Sequence, residues 1–152
     1  MKKILIYMLL LGAAVLMPIQ GEDVGKLLPV EVVGIYKTED TVVLVTDVEA
    51  TGEGDTVEAA IKNMKATTSG IIFLDTADYL LIDETAKEEA VALSEYLKPA
   101  VRVAVTEGSI DLKEAASFLS VHKPETKMKA YQHMGKTDIL AEENGKLILK
   151  EN

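Results

Sequence analysis

Runs of β-branched residues alternate along this chain with segments whose apolar residues recur at helical spacing. Two β-branched runs come first, Val30–Tyr36 and Thr41–Ala50, and the polar turn Lys37–Asp40 between them predicts a hairpin. Helical segments and short apolar runs then follow one another as far as Val121. This order predicts an α+β fold in which a mixed β-sheet is covered by about three helices.

Each of the three predicted helices has a start signal or an apolar stripe that separates a buried face from a solvated one. Asp55 is placed to cap the first helix, with Glu58 three residues later, and Asp111 is placed to cap the third. The second is expected over about Glu84 to Leu97. The three stripes, in chain order, are Val57, Ala60, Ile61 and Met64; Ala86, Ala90, Leu93 and Leu97; and Leu112, Ala115, Ala116 and Leu119.

The segments between these helices differ in how clearly the sequence predicts their structure. Val101–Thr106 alternates and predicts a strand. Ile71–Asp75 and Tyr79–Asp83 are compatible with one bulged strand or with a tight pair of strands. Thr51–Gly54 is interpreted as a break that ends the initial hairpin, because two of its four residues are glycine.

The N-terminal segment has the layout of an export signal. Two lysines precede an apolar run from Ile4 to Ile19. A membrane-spanning helix needs about 20 apolar residues, so this run is slightly short for a span. Gly21 suits the last position before a cleavage site, but Ile19 is a poor residue two positions earlier, which leaves cleavage near Gly21 and retention as an anchor both open. We expect an exported, extracytoplasmic protein, either secreted or in contact with the membrane through residues 4–19.

Length and turn signals predict three parts of the chain. Residues 1–21 are expected to be a signal peptide or membrane anchor, and residues 22–126 a single α/β domain. Residues 127–152 are expected to be a C-terminal tail. Asn144-Gly145 is a favoured two-residue turn, so the tail is expected to finish as a β-hairpin formed by Ile139–Glu142 and Lys146–Leu149.

Charge and cysteine content exclude several classes of function. All 25 acidic residues but only 14 of the 16 basic residues follow residue 21, so that part has a formal charge of −11. This balance disfavours nucleic acid as a partner, because nucleic-acid binding depends on clustered Lys and Arg. The chain has no cysteine, which excludes disulfides, thiol nucleophiles, zinc–thiolate sites and a lipid-bearing cysteine.

Residue patterns typical of catalytic and metal sites are missing from the sequence. His122 and His133 are eleven residues apart and stand outside any metal-binding motif, and Gly52-Glu53-Gly54 has too few glycines for a phosphate loop. The serines are interpreted as caps, turns or helix surface, namely Ser69, Ser94, Ser109, Ser117 and Ser120. We therefore predict a protein that is not an enzyme, with no catalytic, cofactor-binding or metal-binding residues and no cofactor.

Two groups of acidic residues bear on this prediction. Asp75, Asp78 and Asp83 lie near one bend, but their spacing matches no calcium loop, which favours a solvated turn. Glu84, Lys87, Glu88 and Glu89 form a charged helix face of the kind that is ordinarily exposed to water.

Four segments of the chain resemble parts of a known family. Val32–Lys37 resembles a strand end of that family, and Thr56–Ala60 resembles the opening of its first helix. Leu80–Ile82 resembles a short strand with an apolar-Ile motif, and Leu97–Gly108 resembles the strand and turn that precede an Ala-rich helix. The family is that of Ger(x)C-type proteins, the membrane-attached C subunits of spore germinant receptors, and the resemblance is to their N-terminal domain. It covers roughly residues 30–120.

The chain departs from the family in three respects. It lacks the lipid-bearing cysteine, and Gly21 stands where that residue is expected; it is shorter than the several-domain family members; and Tyr36 replaces an acidic residue. The resemblance implies a spore-forming Gram-positive source and a protein–protein role at a membrane, with other membrane or spore-envelope proteins as partners. It implies no catalytic residues.

Two functions of different classes follow. The first is a non-enzymatic, germinant-receptor-subunit-like component of a membrane-associated assembly. The second is a secreted module that binds a small ligand, with the loops Thr51–Asp55 and Thr106–Ile110 as the expected walls of a common pocket.

Overall fold

The structure is a computed structural model that describes residues 24–151. The predicted leader, residues 1–21, lies outside the described residues. Strands in the described part are β1 (Leu27–Pro29), β2 (Val32–Thr38), β3 (Thr41–Thr46), β4 (Thr51–Gly54), β5 (Ile71–Phe73), β6 (Tyr79–Asp83), β7 (Arg102–Glu107), β8 (Asp138–Glu143) and β9 (Lys146–Lys150). Its α-helices are α1 (Val57–Thr67), α2 (Lys87–Leu93), α3 (Leu112–Val121) and α4 (Met128–Met134). Short 3-10 turns cover Val24–Lys26, Leu74–Thr76, Glu84–Ala86 and Ser94–Tyr96.

Seven of the strands form one mixed sheet in the order β4-β3-β2-β6-β7-β8-β9. The central strands β2, β6, β7 and β8 are parallel, whereas β3, β4 and β9 pair antiparallel with their neighbours. Strands β1 and β5 form a separate parallel pair. The predicted α+β fold, with a mixed sheet, covering helices and a C-terminal hairpin, is confirmed.

Helices cover the sheet unequally on its two faces. Helices α1, α2 and α4 pack on one face, which we call the three-helix face, and their buried residues join one core with alternate residues of the strands. Helix α3 packs on the opposite face, the α3 face, in a smaller core with Val32, Leu81 and Ala104. Because helices cover them on both faces, β6 and β7 are nearly continuous apolar runs.

The predicted helical stripes are confirmed, with small changes at the helix ends. All members of the first two stripes are buried, and in the third only Leu112 is partly exposed. Thr56, and not Asp55, caps α1, since the Thr56 side chain accepts a hydrogen bond from the Ala59 N–H at 3.2 Å. Asp111 caps α3 as predicted, accepting from the Glu114 N–H at 2.9 Å. The second helix is divided into a 3-10 turn, α2 and a further 3-10 turn.

The interpretation of Thr51–Gly54 as a break is wrong, because these residues form strand β4 at one edge of the sheet. The glycines serve close packing rather than chain reversal. A Cβ atom on Gly52 would overlap the backbone carbonyl oxygen of Ala60, and one on Gly54 would lie 2.6 Å from the Cβ of Ala59. Helix α1 therefore lies directly on the backbone of β4.

The two alternatives for Ile71–Asp75 and Tyr79–Asp83 are both replaced by a third arrangement. Ile71–Phe73 is β5, which pairs with β1 outside the main sheet, and Tyr79–Asp83 is β6, at the centre of the main sheet. The turn Leu74–Thr76 between them carries the chain from one sheet to the other. Their separate pairings depend on strands far away in the chain.

The C-terminal hairpin forms where it was predicted. Asn144 and Gly145 both have positive φ, 53° and 72°, as a two-residue hairpin turn requires. The hairpin extends the main sheet, because β8 pairs in parallel with β7. Helix α4, which precedes it, was not predicted. None of the helices within residues 24–151 has the length and apolar character that a membrane span requires.

We expect Gly52→Ala to lower the free energy of unfolding by about 1–3 kcal/mol, because the added methyl group forces α1 away from β4. Urea unfolding followed by circular dichroism measures this change. The control is Glu53→Ala, which alters the exposed neighbour in the same strand and should change stability by less than about 0.5 kcal/mol. Equal stability of the Gly52→Ala variant and the unaltered protein would contradict the close packing of α1 on β4.

Candidate functional site

The chain leaves two adjacent strands toward opposite faces of the sheet. After β6, the turn Glu84–Ala86 leads into α2 on the three-helix face. After β7, residues 108–111 lead into α3 on the other face. In open α/β sheets, a crevice opens at the carboxyl ends of the strands where neighbouring connections diverge in this way, and ligands commonly bind there.

A crevice of about 380 Å³ occupies this position, and we call it the edge crevice. Its apolar wall consists of Gly34, Val45, Leu81, Ile110 and Leu112. Its polar rim consists of Tyr36, Asp83, Thr85, Thr106, Gly108 and Ser109. Ile35 and Lys37 complete the thirteen lining residues. The volume falls in the range of roughly 300–1,000 Å³ that is typical of small-molecule sites.

Gly34 keeps the apolar wall of the edge crevice open. Its neighbours in β2, Val33 and Ile35, belong to the core of the three-helix face, so Gly34 faces α3. A Cβ atom on Gly34 would lie 3.0 Å from Cγ2 of Val45 and 3.4 Å from Cδ1 of Leu112. The space between β2, β3 and the start of α3 therefore depends on the missing side chain.

Thr85 connects the ends of β2 and β6 at the rim. Its hydroxyl accepts a hydrogen bond from the Lys37 N–H at 3.0 Å and donates one to Oδ1 of Asp83 at 2.6 Å. Its own N–H also donates to Oδ1 of Asp83, at 2.9 Å. These bonds hold the Asp83 carboxylate in one orientation.

The positive charge next to the crevice is already compensated. The ammonium of Lys37 lies 2.7 Å from Oε1 of Glu89 in α2, on the three-helix face, and the two side chains are 33% and 18% exposed. The hydrogen bond that the ammonium donates to Glu89, together with the negative charge of that carboxylate, raises the pKa of Lys37. The same hydrogen bond lowers the pKa of Glu89. Lys37 lines the crevice, but its ammonium is paired with Glu89 on the three-helix face.

Asp83 is the other charged residue of the lining, and it has no ion-pair partner among the described residues. It is half-buried and lies on the α3 face, two residues after Leu81 of the apolar wall. Thr106 is its register partner in β7 and is also half-buried. The crevice thus combines an unpaired carboxylate, nearby hydroxyl groups and an apolar wall.

The acidic residues that the sequence places near one bend are separated in the fold. Asp75 and Asp78 lie before β6, and the Asp78 carboxylate is paired with Lys98. Asp83 lies at the opposite end of that strand, five residues after Asp78 and, at about 3.3 Å per residue, roughly 16 Å away. No group of three potential metal-ligating side chains occurs in the part of the chain that the structure describes.

The other residues weighed as chemical candidates lie apart from the edge crevice, except one serine. His122 stacks on Phe118 of α3 with ring centroids 4.6 Å apart, and His133 is exposed near the end of α4. The charged helix face contributes Glu89 to the ion pair with Lys37 and is otherwise exposed. Ser109, interpreted from sequence as a turn or surface residue, lines the crevice.

The two loops predicted to form a pocket meet only in part. Thr51–Asp55 is mostly strand β4 and contributes nothing to the edge crevice. Thr51 does lie with Ser109 and Ile110 in a neighbouring depression on the α3 face. The loop Thr106–Ile110 supplies four residues of the edge crevice.

Sequence reasoning missed Gly34, Asp83 and Thr85 as site residues. Asp83 ends β6 and Thr85 follows it, whereas Gly34 lies within β2 beside Leu81 of β6. These positions converge only because β2 and β6 are parallel neighbours. The alternation of β and α segments was a signal for this arrangement, but the strand order was not readable from the sequence.

Comparisons with protein-family models, with curated proteins and with solved structures found no significant match for this chain.

We expect the Glu89→Gln variant to unfold at a lower urea concentration than the unaltered protein at pH 7, with the difference disappearing in acid. The folded-state pKa of Glu89 lies below its ordinary value of 4.5, so the ion pair stabilises the fold fully above that value. The contribution is lost as the pH falls through the lowered pKa. Urea midpoints between pH 2.5 and pH 7 measure this dependence.

The control for this prediction is Glu84→Gln. Glu84 pairs with Lys87 at 3.3 Å on the same helical segment, but its side chain is 75% exposed. Such a pair contributes little, so its midpoint should match the unaltered protein at every pH. A pH-independent loss in Glu89→Gln would show that the ion pair with Lys37 is not the cause.

Proposed function

We propose that this chain is a non-enzymatic binding component of a membrane-associated assembly, and that it binds a small ligand in the edge crevice. The observation that carries the proposal is the position of the crevice, at the carboxyl edge of the sheet where the connections after β6 and β7 diverge. Both its volume and its mixture of apolar wall and polar rim suit a small molecule.

The composition of the crevice supports binding rather than catalysis. Its thirteen described lining residues include one carboxylate, that of Asp83, and no histidine. Acid–base chemistry on a bound substrate commonly uses a histidine or a pair of carboxylates with separated pKa values. The lining therefore offers neither a histidine nor a second carboxylate that could activate the hydroxyl of Thr106 or Ser109.

The resemblance to receptor C subunits supports the assembly role. Seven of the thirteen lining residues fall inside the segments that carry the resemblance, in Val32–Lys37, Leu80–Ile82 and Leu97–Gly108. These segments form β2, β6 and β7, the strands whose ends build the crevice. On this proposal the protein is exported and works outside the cytoplasm, with other membrane or spore-envelope proteins as partners.

A second candidate is a secreted module that binds a small ligand on its own. The observation that favours it is the joining of an apolar wall and a polar rim in the edge crevice. The two candidates share the ligand site and differ in whether the protein acts within an assembly.

We expect small neutral alcohols with an apolar body, such as 3-methylbutanol and cyclohexanol, to bind in the edge crevice at millimolar concentration. Titration into ¹⁵N-labelled protein should shift the amide signals of Gly34, Gly108 and Ser109. The variant Gly34→Ala fills part of the apolar wall, and Ser109→Trp covers the exposed rim without entering the core. Both should weaken binding at least about fivefold.

The matched control is Ser120→Trp, which adds the same side chain at an exposed position on α3 outside the crevice. It should bind the alcohols as the unaltered protein does. Shifts centred on another depression, or equal binding by Ser109→Trp, would contradict the proposed site.

The assembly role has a separate test, because it depends on the N-terminal segment. We expect the full chain to be recovered from the membrane fraction of sporulating cells with an intact Met1 or Lys2, and chemical cross-linking followed by mass spectrometry should identify receptor subunits attached to it. Recovery from the medium with a start near Glu22, and without cross-linked subunits, would favour the secreted module instead.

A further inference from the structure

We propose that the ligand of the edge crevice is a small aliphatic amine, bound as an ammonium ion by the carboxylate of Asp83. This inference rests on the proposed function, because it names the chemical class of ligand for the same site. The ammonium group would lie at the polar rim and the aliphatic body against the apolar wall.

The hydrogen bonds of Asp83 leave one carboxylate oxygen available. Both bonds from Thr85, through its N–H and its hydroxyl, go to Oδ1. The described residues direct no such bond at Oδ2. Thr85 is itself held by the Lys37 N–H, so the carboxylate is oriented before any ligand arrives.

The surroundings of Asp83 strengthen its interaction with a positively charged partner. The residue is half-buried at the margin of an apolar wall, where a charge is less solvated than at an open surface. A hydrogen bond between an ammonium and a carboxylate is among the stronger ones in proteins. The protein's own cations nearby are engaged elsewhere, Lys37 with Glu89 and Lys113 with Glu49.

The rim beside Asp83 offers further acceptors. Thr106 lies next to Asp83 across the β6–β7 ladder, and Ser109 follows it at the turn. An ammonium has three donors and no acceptor, so one carboxylate oxygen and two hydroxyl oxygens match its requirement. The net charge of −11 after residue 21 favours cations over anions at the surface as a whole.

The size and shape of the lining restrict the rest of the ligand. The side chains of Leu81 and Leu112 present only apolar atoms, and Gly34 has no side chain. A branched aliphatic chain of a few carbon atoms fills such a space without burying a second polar group. A ligand with a carboxylate at the same end as its ammonium would place a negative charge next to Asp83.

Three probes of almost equal shape test this inference: 3-methylbutylamine, 3-methylbutanol and 3-methylbutanoate. Affinities are measured at pH 7 from the amide shifts of Gly34, Gly108 and Ser109. We expect the amine to bind at least about tenfold more tightly than the alcohol, and the carboxylate more weakly than the alcohol.

The variant Asp83→Asn removes the charge while keeping an Oδ1 acceptor for Thr85. It should bind the amine and the alcohol equally, with the affinity of the alcohol unchanged. Asp75→Asn is the matched control, since it removes an exposed carboxylate that lies outside the edge crevice, and it should keep the tenfold preference.

The possible failures are distinguishable. Equal binding of amine and alcohol by the unaltered protein, or an amine preference that survives in Asp83→Asn, would overturn the inference and leave the proposed ligand site standing. Failure of all three probes to shift the crevice amides would overturn the proposed ligand site together with the inference.

Discussion

The need to bury the central parallel strands on both faces determines this structure and its crevice. Strands β6 and β7 are apolar toward both faces, so helices must cover each side. Three helices cover one face, whereas the ten-residue α3 is the helix that packs on the other within the described part of the chain. Helix α3 begins only after the strands end, so it leaves the sheet uncovered near the carboxyl edge. This uncovered part of the α3 face is the edge crevice.

Two acidic residues near this edge, Glu89 and Asp83, differ in whether a lysine neutralises their charge. Glu89 is held by Lys37, and each group stabilises the charged form of the other. Asp83 lies on the opposite face and takes only neutral donors from Thr85. Because the nearby lysine is committed to the three-helix face, the charge of Asp83 is left to interact with whatever enters the crevice.

Local patterns were enough to predict the fold class and three of the four described α-helices, but not the sheet order. The stripe Val57–Met64 and the turn Asn144-Gly145 depend on residues within a few positions of one another. Strand β4 was missed because its glycines are explained only by the backbone of α1 lying against them. The site was missed for a related reason: Gly34, Asp83 and Ser109 become neighbours through pairings between strands that are far apart in the chain.

The strands that build the core of the fold also build the edge crevice. Val32–Lys37 contributes both the buried residues of β2 and the open wall at Gly34. Asp83 differs in this respect. Its Oδ1 caps the turn Glu84–Ala86, a role that asparagine can also fill, whereas its charge has no partner in the described fold. The charge of Asp83 is therefore the feature of the edge crevice that packing does not explain, and the proposed ammonium ligand is the partner that we assign to it.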